Sequence, residues 1–405
     1  MAPKRICRRS LLRAGVASGA VLAAGCTGVL DGGVESPENV DPDGAFEIEE
    51  VVDGLSNPWG LEFIPGTSQL LVTEIDGQLT LVDYEAETAE TVPGTPEVAT
   101  AGQGGLLDVA IHPAFPDKSW VYLTYAATNE DGDSATHLGR GRLHTDAPSL
   151  DAFEAIHVAE PFVDSNGHFG SRVVFGEDGM IYLTTGDRQF KDFGPEHVSQ
   201  DTTNELGATL RLTPDGSIPK DNPFVDEPGF VDSIYSYGHR NAQGMTVHPE
   251  TGEIWQSEHS EGDGDEINVI EQGGNYGWPV ASEACEYGTD TPVGVSHSER
   301  DDVIDPVYYW ECGTGGFPPA GMTFYDGESF PDWQGDLFIG NLAGQYLGHF
   351  AVENAGSETV TVEERDPLLE GSGWRIRDVA MAPDTGHLYI AIDAGDVPLV
   401  RLVPE

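Results

Sequence analysis

One strand pair returns six times along this chain, and that return limits what the chain can fold into. Each copy begins at Gly or another small or special residue, runs through an apolar strand to a turn, and continues in a second strand rich in Tyr, Leu, Ile and Val. The copies are residues 60–65 with 70–74, 106–113 with 121–125, and 172–175 with 180–185. They continue at 244–249 with 253–257, 321–325 with 336–340, and 376–383 with 387–391. No long stretch carries helical periodicity. Six copies at intervals of roughly 45 to 80 residues predict an all-β, six-bladed β-propeller with four-stranded antiparallel blades. A stacked sandwich would also alternate strands, but it would not repeat one motif at blade-sized intervals.

This architecture says where to look for chemistry. The first strand of each blade lines the central channel, so the residues before it sit at one mouth. The second strand runs back, so the residues after it return to that mouth. Before the inner strands stand Gly102-Gln103-Gly104-Gly105 in blade two and Asn166-Gly167-His168-Phe169-Gly170-Ser171-Arg172 in blade three. Blade four offers Tyr237-Gly238-His239-Arg240-Asn241-Ala242-Gln243 and blade six Trp374-Arg375-Ile376-Arg377. After the second strands come Gly186-Asp187-Arg188 in blade three and Glu258-His259 in blade four.

Here composition sharpens the argument. Lys and Arg number 19 against 70 Asp and Glu, a formal charge of −51. Such self-repulsion calls for screening by salt, and it leaves no basic patch for nucleic acid. The acids are spread among aromatic and β-branched residues rather than gathered in runs, which predicts a folded protein adapted to high salt instead of a disordered acidic chain. A mouth that collects scarce arginines against that field points to an anionic ligand with planar acceptors, or to arginines that only pair with neighbouring acids.

The N-terminus reads as an address. Arg8-Arg9-Ser10-Leu11-Leu12 resembles a twin-arginine signal, and an apolar stretch too short to span a bilayer ends in Leu22-Ala23-Ala24-Gly25-Cys26, similar to a lipobox. The expectation is a signal over 1–26, an acidic tether over 27–43 and the propeller over 44–405, with the mature protein exported and lipid-anchored on the outer face of the membrane. Of four cysteines, Cys7 leaves with the signal and Cys26 takes lipid. Cys285 and Cys312 remain as a candidate disulfide.

His168 is the candidate base, because a neutral imidazole takes a proton near pH 7, and Asp187 can reach its other ring nitrogen. His239 reads as a packing residue; His112, His248 and His259 read as blade-turn residues. The stretch 258–268, with Ser260, Glu261, Asp265 and Glu266, is rich in oxygen ligands of the kind calcium takes, or is a solvated acidic loop. There is no GxSxG elbow, HExxH pair or Walker A sequence.

Taken in order, a set of segments resembles the soluble pyrroloquinoline quinone (PQQ)-dependent aldose sugar dehydrogenase family. They are Asn57-Pro-Trp-Gly60, Gly102-Gln-Gly-Gly-Leu-Leu107, His168-Phe-Gly-Ser-Arg172, Thr185-Gly-Asp187 and Tyr237-Gly-His-Arg-Asn241. Asp265-Glu-Ile-Asn268, Gly274-Asn-Tyr-Gly-Trp278, Gly335-Asp-Leu-Phe338 and Arg375-Ile-Arg-Asp378 complete the set. The resemblance implies that His168 takes the proton of a sugar's anomeric hydroxyl while hydride passes to the quinone, with Asp187 as orienter and Gln103 near quinone or substrate. It implies Arg240 and Asn241 on the quinone and Arg375 and Arg377 on its carboxylates. One calcium would polarise the quinone, held partly by carbonyls of the 260–261 turn; a second would use Glu266 and the neighbourhood of Tyr276. The implied partners are an aldose substrate and an electron acceptor that the sequence does not name.

The chain also departs from that pattern. Where the family reads Gly-Pro, this chain has Ser260-Glu261. Where the family often sends a lysine to the quinone from blade five, it has Ala343, and the segment 311–316 is an insert at the rim. These departures favour one alternative, a non-catalytic surface propeller. Another is a calcium-dependent propeller hydrolase of the lactonase kind, which would want a cage of side-chain acids and amides in the channel, where this mouth is rich in arginine.

Overall fold

The computed structural model describes residues 46–405, and the expected signal and tether lie outside the described residues. Six four-stranded antiparallel sheets form six blades, with no α-helix among the described residues and only three short 3-10 turns. The inner strands are Pro58–Phe63, Leu106–Ile111, Val173–Phe175, Ala242–Val247, Pro319–Phe324 and Ile376–Met381, at the six positions the repeat marks.

The ring closes in a way the repeat does not announce. Blade six takes three strands from the C-terminal end and its outer strand, Glu47–Ser56, from the other end of the described chain. Glu47 pairs with Val403 and Ser56 with Gly395, so the two ends of the domain are zipped by backbone hydrogen bonds.

The second strands read as continuous apolar runs because neighbouring blades cover both their faces. Leu70, Leu71 and Val72 in blade one are fully buried, and each such side chain contributes about 1.5–3 kcal/mol on leaving water. Between blades five, six and one, Trp333, Phe338, Trp374 and Tyr389 join one core cluster. The mouth ends of the blades are laced together. The N–H groups of Asn57, Ile75 and Leu106 donate to the carbonyls of Ala394, Asn57 and Ile75, carrying the ring from blade six to blade two. This lattice holds the pre-strand loops still, which is what a site built from several blades requires.

Candidate active site

His168 stands at the mouth with a φ of +49°, a left-handed conformation that a non-glycine residue holds only when its surroundings impose it. Three contacts impose it. Its N–H donates to Gln103 Oε1 at 2.8 Å. Gly186 packs so close that a Cβ there would collide with the His168 carbonyl. Arg188, buried beneath the loop, donates to the carbonyls of Gly167 (2.9 Å) and Ser165 (2.7 Å), and to the carbonyl (2.8 Å) and hydroxyl (2.7 Å) of Ser134. The Arg188 guanidinium lies 3.9 Å from the ring of Phe169, and burial pushes it down to about 10.

The ring of His168 is equally fixed. Nδ1 lies 2.6 Å from Asp187 Oδ1. Asp187 is 1% exposed; its Oδ1 also accepts from Gln189 N at 2.9 Å and its Oδ2 from Trp278 Nε1 at 2.9 Å. Burial alone would raise this carboxyl, but His168 and Arg240 hold it below its ordinary value. With the proton assigned to Nδ1, the lone pair of Nε2 is left for a substrate. Burial, then the charge of Arg240, keeps His168 below the usual imidazole range even though Asp187 opposes them. It is therefore a neutral base near neutral pH.

Arg240 and Asn241 flank this base. Asn241 Oδ1 accepts from Gly170 N at 3.1 Å, bracing the turn beyond His168. The Arg240 guanidinium lies 5.2 Å from the Trp278 ring and donates to Glu261 Oε2 at 2.7 Å and to the His259 carbonyl at 3.2 Å. Glu261 also takes Lys191, at 2.6 Å from Oε1. On the opposite wall, Asp393 Oδ2 accepts from Arg375 Nη2 and Arg377 Nη2, each at 2.9 Å. Arg377 Nη1 donates to Gln243 Oε1 at 2.9 Å, while its buried Nε has no hydrogen-bond partner. Arg375 is exposed on the rim.

His259 joins this group, although its sequence position reads as a blade turn. Burial first, then the charges of Arg240, Arg377 and His168, drive its pKa far down, and Pro319 supplies its backbone hydrogen bond. Its Nε2 is buried without a partner. The signal available in the sequence is its slot directly after blade four's second strand. His112 and His248 do cap turns, accepting from Ala114 N and Glu250 N. His239 packs face to face on Tyr276, ring centroids 4.7 Å apart.

The oxygen-rich loop is bound up in other ways. Asp265 accepts from Ser260 N at 2.9 Å and Phe317 N at 2.7 Å, so it braces the turn; burial pushes its carboxyl up to about 6. The backbone hydrogen bonds of the turn do not use the carbonyls of Ser260 and Glu261. Glu266 and the Tyr276 carbonyl both meet the ring of His297, whose Nε2 is 3.7 Å and 3.1 Å away. No group of three or more His, Cys, Asp or Glu side chains among the described residues is arranged to hold a metal. Cys285 and Cys312 form a disulfide with Cα atoms 5.6 Å apart. It fastens the rim insert to the loop, and Asp263 Oδ2 accepts from Gly313 N at 2.7 Å beside it. Ala343 is exposed at the rim.

The residues present fit a planar, multiply anionic ligand. Two buried polar atoms, Arg377 Nε and His259 Nε2, have no hydrogen-bond partner, and the arginines 240, 375 and 377 gather at this mouth.

Comparison with known proteins identifies the family. The family profile described as Glucose / Sorbosone dehydrogenase matches residues 55–401. The aldose sugar dehydrogenase YliI of Escherichia coli is 35% identical over 363 residues, spanning 88% of this chain and 93% of that protein. Quinoprotein glucose dehydrogenase B of Acinetobacter calcoaceticus is 26% identical over 422 residues, covering 87% and 86%. The PQQ-bound aldose sugar dehydrogenase of Streptomyces coelicolor superposes with a TM-score of 0.70 at 28% identity, covering 90% of this chain and all (100%) of that one. The chain belongs to the glucose/sorbosone dehydrogenase family of sugar-oxidising β-propellers.

Proposed function

We propose that this protein oxidises the anomeric hydroxyl of aldose sugars to the lactone, with PQQ as the acceptor. The observation that carries the reading is the buried His168–Asp187 pair beside three arginines at one mouth. His168 Nε2 takes the O1 proton as the C1–H bond gives up its hydride. Asp187 holds the ring in the required tautomer and stabilises the charge it gains. PQQ, when bound, supplies the two-electron acceptor for that hydride. Arg240 and Asn241 would hold the quinone on one side and Arg375 and Arg377 its carboxylates, while Gln103 accepts from the His168 N–H and sets the position of the base. Calcium would be held partly by the carbonyls of Ser260 and Glu261, which accept none of the turn's backbone hydrogen bonds. The N-terminal pattern supports export by a twin-arginine route and lipid anchoring through Cys26, with an acceptor met outside the membrane.

A panel of aldoses assayed by dye reduction, with and without PQQ, tests this reading. Sugar-dependent turnover that requires the quinone is expected; hydrolysis of lactones without it would favour the propeller hydrolase. One observation favours a second reading, a binding propeller without catalysis: the Glu261 carboxylate already occupies Arg240.

A further inference from the structure

We propose that the side chain of His297 takes the place of a divalent cation in this chain, tying Glu266 to the carbonyl of Tyr276. The proposal does not depend on the quinone or on turnover.

The need for such a tie is set by the sheet. Glu258 and Glu266 are directly paired across the second and third strands of blade four, and they are 3% and 6% exposed. Two buried carboxylates side by side require compensation. His239 Nδ1 lies 2.9 Å from Glu258 Oε1, and Asn268 Nδ2 donates to both carboxylates, at 3.2 Å and 3.3 Å. That leaves Glu266 Oε1 and the carbonyl of Tyr276, oxygen donors of the kind that draw calcium.

Here the gap is filled by protein. His297 is 2% exposed, and its Nε2 is 3.1 Å from the Tyr276 carbonyl and 3.7 Å from Glu266 Oε1. On the far side, Nδ1 is 3.6 Å from Glu283 Oε1, an ionic contact rather than a hydrogen bond. The same Glu283 oxygen accepts from Ser296 Oγ at 2.7 Å and His297 N at 3.2 Å, which anchors the short 3-10 turn His297–Glu299 that carries the ring. Gly277 makes room: a Cβ there would stand 3.2 Å from His297 Nε2.

A calcium ion bound to both oxygens would lie about 2.3–2.6 Å from each and would compete with the Nε2 N–H, which already approaches both. Ring and ion exclude one another. The ring also ties the site to the base, because Tyr276 leads through Gly277 to Trp278, whose Nε1 donates to Asp187 at 2.9 Å.

The test is calorimetric titration of quinone-free protein with calcium chloride in concentrated KCl. Wild type and Glu266→Gln are expected to give superimposable titrations, and any response of the melting temperature to EGTA should be the same in both. His297→Ala should gain one saturable calcium that the further Glu266→Gln change removes. Calcium bound by wild type and lost in Glu266→Gln would overturn the proposal. Should a variant fail to fold, wild-type crystals grown in calcium decide alone. Anomalous density between Glu266 and the Tyr276 carbonyl contradicts the proposal, and its absence there at full calcium supports it.

Discussion

Asp187 Oδ1 accepts from the ring of His168 at 2.6 Å while Asp187 Oδ2 accepts from the indole of Trp278 at 2.9 Å. Both oxygens are committed, so the carboxylate cannot turn away from the base. Asp187→Asn offers an N–H to Nδ1 and forces the proton onto Nε2, where the substrate needs a lone pair. Turnover should fall by about 10⁴-fold, as it does for the matching change in a serine-protease triad. Quinone affinity should change little. Steady-state kinetics beside a quinone titration check both.

The pH profile carries a sign. A base works deprotonated, so the rate is lost as pH falls through its pKa. For His168 that value is held below 6.5 by burial and then by Arg240, against Asp187. The acid limb of kcat/KM should therefore lie below 6.5. Arg240→Met removes a lowering charge, so at saturating quinone the limb should move to higher pH. A limb that stays in place would detach Arg240 from the base.

Glu261 is the residue most at odds with an anion site. Its carboxylate holds Arg240 and Lys191 together. Glu261→Gln should free both cations and tighten PQQ binding on the order of tenfold, the equivalent of about 1.4 kcal/mol. Weaker binding would show that Glu261 positions these cations for the ligand instead of competing with it.

The opposite half of the channel sets a pH limit on stability. A cavity of about 300 Å³ there is lined by Glu62, Asp108, Arg172 and Asp378 among others. Arg172 pairs with Asp108 at 3.1 Å and Asp378 at 3.2 Å, leaving Glu62 without a cation. Burial, followed by Asp108 and Asp378, pushes Glu62 from 4.5 up to about 8 against the N–H of Ile111. A raised acid means that the folded state binds the proton more tightly, so its stability is present below pH 4.5 and lost as pH rises towards about 8. Glu62→Gln should raise the melting temperature at alkaline pH by a few degrees, and much less at pH near 4.5. Thermal melts across that range check it.

What the sequence revealed follows from periodicity. The inner and second strands repeat, so six blades and the mouth slots were legible, and with them His168, Asp187, Arg240 and Arg377. The closing strand Glu47–Ser56 was not, because it lacks the motif and its partner Gly395–Val403 lies at the other end of the chain. Lys191, His297 and the bracing role of Arg188 were hidden for a related reason. Lys191 and His297 sit in long loops where no period assigns a direction to a side chain. The role of Arg188 depends on carbonyls from residues 134, 165 and 167, which only the fold brings together. His259 stood in a marked slot, but a histidine after a strand has the same local sequence whether it caps a turn or faces a channel.

The central claim is that this mouth binds PQQ and passes sugar electrons to it. Spectroscopic titration of the purified protein with PQQ, in molar KCl with calcium, followed by addition of an aldose, tests it most directly. The account predicts saturable binding and bleaching of the bound quinone by sugar, with His168→Ala binding as wild type but failing to bleach. A folded wild-type protein that does not bind PQQ at micromolar concentration would contradict it.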